Sequence, residues 1–129
     1  MKRILLIALV AMLPGCALYD AYMMTPYDSN EYKLAVEIRT DAHKYRSQCD
    51  DADASKKNAQ AIADKTQLFE FYSEHIPRNN NGASASRNLN EIAQGLLKRY
   101  NSGDKVSTTF CRLKFEGIEI GAVIGRAHV

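Results

Sequence analysis

Apolar residues recur at steps of three and four over most of the chain beyond residue 29, and this period restricts the fold more than any other feature. The spacing is that of one face of an α-helix, which has about 3.6 residues per turn. The three stripes are Leu34, Ile38, Ala42, Tyr45 and Cys49; Ala59, Ile62, Ala63, Thr66, Phe69, Tyr72 and Ile76; and Leu89, Ile92, Ala93, Leu96 and Tyr100. Polar residues fill the intervening positions, so the stripes predict three amphipathic helices.

Helix-capping and helix-ending residues lie beside these stripes. The residues able to cap the three helices are Ser29 or Asn30, Ser55, and Ser84 or Ser86. Pro77 is expected to end the second helix, and Gly103 the third in a left-handed conformation. Residues 78–86, which contain three asparagines and a glycine, are expected to form an exposed loop.

Residues 106–126 fit either a helix or a strand. Apolar and charged residues nearly alternate there, which suits a strand with a bulge at Gly117. A helix is favoured because a lone strand would have no partner in an otherwise helical chain, and Ser107 could cap it. The positions that would share its inner face are Cys111, Phe115, Ile118 and Ala122. The sequence therefore predicts an all-α fold, a small bundle of three to four helices, with an α+β domain carrying a carboxy-terminal strand or hairpin as the alternative.

Glycine recurs every four residues in this last segment, at Gly117, Gly121 and Gly125. Such spacing would let the backbone of a fourth helix approach a neighbouring helix closely.

The amino terminus has a different character. Lys2 and Arg3 precede ten apolar residues, 4–13, which are too few to span a hydrocarbon core that needs about 20 residues. A short apolar run behind two cations is typical of an export signal.

The residues that end this run are Leu13, Pro14, Gly15 and Cys16, and they resemble the lipobox of bacterial lipoproteins. The resemblance covers residues 1–16 and implies cleavage before Cys16, a thioether-linked diacylglycerol on its sulfur and acylation of its new amino group. Two or three acyl chains give stable anchorage. Ala17, where an Asp commonly signals retention in the inner membrane, implies the periplasmic face of the outer membrane if the host is Gram-negative, and a lipid anchor on the cell membrane otherwise.

Three segments follow from this interpretation: a signal peptide at residues 1–15, a lipidated Cys16 and tether at residues 16–28, and a helical periplasmic domain at residues 29–127. The tether carries Tyr19, Tyr22 and Tyr27. Their rings could lie at the level of lipid headgroups or pack on the domain, and the sequence leaves both open.

The mature chain is formally neutral. Loss of Lys2 and Arg3 with the signal leaves 15 cationic against 15 acidic residues, since the whole chain has 17 and 15. The charge balance therefore gives no reason to expect a nucleic-acid partner.

Cys49 and Cys111 are the two cysteines that remain beyond the anchor. In an oxidising compartment they are expected to form one disulfide. Closing that loop would stabilise the fold by about 4 kcal/mol on the chain-entropy model.

No catalytic or metal-binding motif survives inspection. Asp51, Asp53 and Ser55 begin like a calcium-binding loop, but Lys56 stands where glycine is needed. The histidines, His43, His75 and His128, lack zinc-ligand spacing. Glu70 and Glu74, one helical turn apart, are typical of a solvated helix surface. We therefore expect no catalytic residues, no metal and no cofactor.

Two hypotheses of function follow. The first is a non-catalytic, lipid-anchored domain that binds another envelope component, most readily a protein, in an accessory or an inhibitor or immunity-type role. The alternative is a small peptidoglycan-active or lipid-active periplasmic enzyme that uses Glu and His side chains.

Overall fold

The computed structural model describes residues 27–124 together with Tyr19 and Tyr22. Within this part four helices occur and no strand does: α1 (Ser29–Arg46), α2 (Ala52–Glu74), α3 (Asn80–Asn101) and α4 (Thr108–Ile124). The prediction of an all-α bundle is confirmed. The predicted signal peptide, Cys16 and residues 125–127 of the predicted domain lie outside the described residues.

The helices form an up-down-up-down bundle in which each helix packs against two neighbours. Contacts between side chains show that successive helices are antiparallel. Gln48, just beyond the end of α1, accepts a hydrogen bond from Asn58 near the start of α2. Asn30, at the start of α1, contacts Tyr72 near the end of α2. Because α4 packs against both α3 and α1, the four helices close a ring around one core.

That core is built from the predicted apolar faces. Its most completely buried large apolar side chains are Phe115, Ile38, Ile62, Leu89, Leu96 and Ile118. Tyr45 of α1 packs edge-on against Phe115 of α4, with 5.8 Å between ring centroids. The fourth helix therefore completes the core that the other three begin.

Aspartates, rather than the predicted serines or asparagine, cap the first two helices. The carboxylate of Asp28 accepts hydrogen bonds from the backbone N–H groups of Asn30 and Glu31, both at 2.9 Å. Asp51 caps α2 in the same way. Ser55 instead lies buried in the first turn of α2. Both helices therefore begin earlier than predicted.

The predicted exposed loop at residues 78–86 is wrong for most of its length, because α3 already begins at Asn80. Asn79 is buried, and its side-chain amide donates to Glu31 Oε1 at 2.6 Å. Gly82 makes this contact possible, since a Cβ there would lie 2.4 Å from the Asn79 side-chain oxygen. Residues that are typical of turns therefore form a buried contact here between α1 and the start of α3.

The ambiguous last segment is a helix, and the strand alternative is wrong. Ser107 caps it as predicted, accepting a hydrogen bond from the Phe110 backbone N–H at 3.1 Å. Gly103, with φ of +81°, follows α3 in the predicted left-handed conformation. The near alternation arose because the outer face of α4 also carries apolar residues, Leu113 and Ile120.

One glycine of α4 makes the close approach that the spacing predicted. A Cβ on Gly121 would lie 2.7 Å from Leu89 Cδ2 in α3, whereas a Cβ on Gly117 would meet no heavy atom within 4 Å. Gly125 lies outside the described residues.

Candidate functional site

The predicted disulfide between Cys49 and Cys111 is present, with Cα atoms 5.8 Å apart. It joins the chain just after α1 to the start of α4, and both cysteines are buried. The Thr108 hydroxyl donates to the Cys49 carbonyl beside it. This cluster therefore closes the end of the bundle that lies farthest from the tether, and its role is structural.

Glu70 and Glu74, the paired acids singled out in the sequence, share one cation across the α2–α3 interface. Arg87 Nη2 lies 2.7 Å from Glu74 Oε1, and Arg87 Nε lies 3.7 Å from Glu70 Oε1. The hydrogen bond to Glu74, together with its charge, raises the pKa of Arg87 above the ordinary value. Asn90 donates a further hydrogen bond to Glu70. Both carboxylates are thus engaged in holding two helices together.

The two histidines within the described residues lie far apart in the bundle. His75 follows the end of α2, and its Nδ1 lies 2.6 Å from the carbonyl oxygen of Phe71 one turn earlier. His43 lies on α1, with Nδ1 3.0 Å from Glu119 Oε1 of α4. Arg46 Nη1 lies 3.2 Å from the other oxygen of Glu119. The sequence did not indicate this three-residue cluster, because Glu119 lies more than 70 residues from His43 and Arg46.

Hydrogen bonds also organise the end of the bundle at which the tether enters. Asp28 accepts from the hydroxyl of Tyr72, at 3.0 Å and 3.1 Å to its two oxygens, besides capping α1. The backbone N–H of Glu31 holds the pKa of Asp28 below its ordinary value of 3.8; desolvation opposes this shift, and hydrogen bonds from Tyr72 and the backbone N–H of Asn30 add to it. The start of α1 is thereby attached to the end of α2.

A shallow groove of about 780 Å³ runs along the outer side of α1 and is bounded by the end of α4. The residues that line it are Tyr32, Lys33, Ala35, Val36, Glu37, Arg39, Thr40, His43, Glu119 and Ala122. We call this surface the α1 groove. Its apolar residues Tyr32 and Val36 remain partly exposed, at 37% and 36%.

The two acids of the α1 groove are paired with cations that lie outside the groove. Glu119 is paired with Arg46, and Glu37 is paired with Lys65 of α2. Lys33 and Arg39 form no ion pair with any residue in the part of the chain that the structure describes. The groove therefore combines an apolar floor with two cations available to a ligand.

The large exposed apolar side chains are concentrated at the tether end. Those on helices at that end are Tyr32, Val36, Leu68, Phe71, Ile120 and Val123. Leu113, which is 62% exposed, lies near the start of α4 at the opposite end. The tether tyrosines are also exposed although two contact the domain: Tyr22 stacks on Arg78, and Tyr27 packs against Tyr32.

Among residues 27–124, Tyr19 and Tyr22, no group of three His, Cys, Asp or Glu side chains is arranged to hold a metal ion. No helix of that same part is both long enough and apolar enough to cross a membrane. No known protein family, curated protein or solved structure shows detectable similarity to the chain. The candidate site is therefore described from its own geometry alone, as a partly apolar groove along α1 beside exposed apolar side chains at the tether end.

Proposed function

We propose that this protein is a lipid-anchored envelope protein whose helical domain binds another envelope protein at the α1 groove, in an accessory or an inhibitor or immunity-type role. It requires no cofactor and no nucleic acid. The membrane contact runs through lipidated Cys16, on the periplasmic face of the outer membrane in a Gram-negative host. In another host the same anchor holds it to the cell membrane.

The α1 groove is the observation that carries this proposal. Tyr32 and Val36 give it an apolar floor that stays in contact with solvent in the isolated domain. Lys33 and Arg39 flank that floor, while both acids of the groove are already paired with cations of the domain. An amphipathic segment with acidic side chains would bury the floor and pair the cations.

The arrangement of the acids and histidines favours binding over catalysis. Glu70 and Glu74 are occupied by Arg87 and Asn90, and Glu119 is held by His43 and Arg46. A general base needs a carboxylate or imidazole that can reach a substrate proton. These pairs are typical of ion pairs that hold helices together, and we therefore propose a non-catalytic role.

Photo-crosslinking in intact cells tests the proposal. A photoreactive amino acid placed at Val36 should yield one discrete adduct with an envelope protein. The same probe at Leu113, which is also exposed but lies at the other end of the bundle, should not. Reversing the two available cations, with Lys33→Glu and Arg39→Glu, should abolish the Val36 adduct while the melting temperature stays unchanged, because neither residue pairs within the described domain.

The lipid anchor at Cys16 is tested in the same cells. Cys16→Ser should remove fatty-acid labelling, release the protein from membranes and weaken the adduct. Equal adducts from Val36 and Leu113, or an adduct that survives the charge reversal, would contradict the groove. Crosslinking to glycan without protein would favour the peptidoglycan-active alternative.

A further inference from the structure

The exposed apolar residues of the bundle are distributed unequally along its axis. Leu68 and Phe71, each 55% exposed, fall within the last seven residues of α2. Leu113 alone among the large exposed apolar residues of the four helices lies toward the other end. Scattered single apolar residues are normal on protein surfaces, but a concentration of them at one end marks a contact surface.

Two tyrosines of the tether pack on this end. The guanidinium of Arg78, in the turn between α2 and α3, lies 5.1 Å from the ring centroid of Tyr22 and donates a hydrogen bond to the Tyr22 carbonyl. Tyr27 borders a small cavity with His75 and Pro77 at the same turn. Tyr22 and Tyr27 therefore both lie beside the turn that follows α2.

The chain length from this contact to the anchor is short. Tyr22 lies six positions beyond Cys16. Even a fully extended chain of six residues spans no more than about 20 Å. A lipid attached at Cys16 therefore holds Tyr22 within that distance of the membrane surface, and the turn that bears Arg78 lies beside Tyr22. This limit does not depend on the conformation of the intervening residues.

We propose that the end of the bundle bearing Tyr22, Tyr27, Leu68 and Phe71, which we call the tether face, lies against the phospholipid headgroup layer. The inference rests on the lipid anchor of the proposed function and adds a second contact with the same membrane. Tyrosine places an apolar ring and a polar hydroxyl at the level where hydrocarbon meets headgroup, while Leu68 and Phe71 bury apolar surface beside it.

The geometry favours a lipid surface over a protein at this face. The tether face carries Tyr22, which lies six positions beyond Cys16, so this face stays close to the anchor wherever the domain diffuses. The anchor concentrates lipid beside it permanently, which converts a weak contact into an intramolecular one. The α1 groove then opens to the side of the bundle and remains accessible to a protein partner.

Tryptophan fluorescence tests the tether face directly, because the chain contains no tryptophan. The mature lipoprotein carrying Phe71→Trp is purified and reconstituted into protein-free vesicles of phosphatidylethanolamine and phosphatidylglycerol, with bromine on the acyl chains near the headgroup. The emission of its indole should shift to shorter wavelength and lose most of its intensity relative to vesicles without bromine.

Leu113→Trp is the matched control, since the two positions are similarly exposed and lie at opposite ends of the bundle. Phe71 lies three residues before the end of α2 and Leu113 five residues after the start of α4, so about 20 Å separates them along the bundle axis, and the indole of this control should lie beyond the reach of the bromines and keep its emission. Phe71→Ser, combined with Tyr27→Ser, should leave the protein attached to vesicles but increase the accessibility of the tether to added protease.

The outcomes separate the two proposals. Acylated protein that floats with the vesicles but shows equal emission with and without bromine in the Phe71→Trp variant contradicts the tether face and leaves the anchor standing. Equal quenching of both tryptophan variants also contradicts it. Protein that carries no acyl label and does not float contradicts the anchor and the tether face together.

Discussion

Gly117 and Gly121 show how much a single position depends on its angle around a helix. A step of four residues turns by about 40° beyond one full turn, so glycines spaced by four do not share one line along the helix. Gly121 faces Leu89 of α3, and Gly117 points into open space. The spacing of the glycines correctly indicated a close approach between helices. Which glycine makes that approach depends on the position of α3, and the sequence of α4 does not specify this position.

The two glycines make a matched pair of substitutions. Gly121→Val should lower the free energy of unfolding by about 1–3 kcal/mol, because the branched side chain would overlap Leu89 in a filled core. Gly117→Val should change stability little or raise it slightly, since glycine is the poorer helix former. Thermal unfolding followed by circular dichroism measures both. Equal melting temperatures for the two variants would contradict the close packing of α4 on α3.

At the level of helices, the apolar stripes predicted three of the four elements, and the fourth was favoured as a helix because a strand would have had no partner. The ends of the helices were predicted less well. Several residues able to cap a helix stand side by side before α1, and the choice among them is made by a tertiary contact. Asp28 is selected because Tyr72, 44 residues away, also donates to it. The start of α3 was missed for a similar reason, since Asn79 contacts Glu31 in α1. The helix propensities of neighbouring residues do not reveal contacts with such distant residues.

The attachment of α1 to α2 predicts a specific acid sensitivity. The pKa of Asp28 is lowered on folding, chiefly by the Glu31 N–H, so its carboxylate stabilises the fold fully above the ordinary value of 3.8. That contribution is lost as the pH falls below 3.8 and through the lower pKa of the folded state. Asp28→Asn keeps a capping oxygen but has no charge, so its melting temperature should fall less over this acid range than that of the unaltered protein. Parallel acid dependence of the two proteins would show that Asp28 does not contribute.

On the scale of the whole molecule, the sequence predicted the bundle and its disulfide but not the binding surfaces. Cysteine count and compartment were enough to predict the bond between Cys49 and Cys111. The α1 groove and the tether face could not be predicted, because an exposed apolar residue such as Phe71 or Val36 looks in the sequence like a buried one. Only the arrangement of neighbouring helices distinguishes the two.

The disulfide that joins the chain after α1 to the start of α4 should make a measurable contribution to the stability of the fold. Cys49→Ala combined with Cys111→Ala should lower the melting temperature by several degrees or more, given a chain-entropy contribution of about 4 kcal/mol for a loop of this length. The unreduced, exported protein should show no free thiol at these positions on titration. A double variant with the same melting temperature as the unaltered protein would contradict a stabilising disulfide. Two reactive thiols in the exported protein would also contradict it.

The position of this disulfide also determines how the molecule bears load. Tension applied between the amino-terminal tether and the end of α4 passes through α1, across the Cys49–Cys111 bond and into α4. The α2–α3 hairpin lies outside that path. The two cysteines are 62 residues apart in the sequence, and pulling does not extend the chain between them. Roughly 200 Å of contour length is therefore withheld from stretching. A partner that pulls on the domain would lengthen α1 and α4 alone.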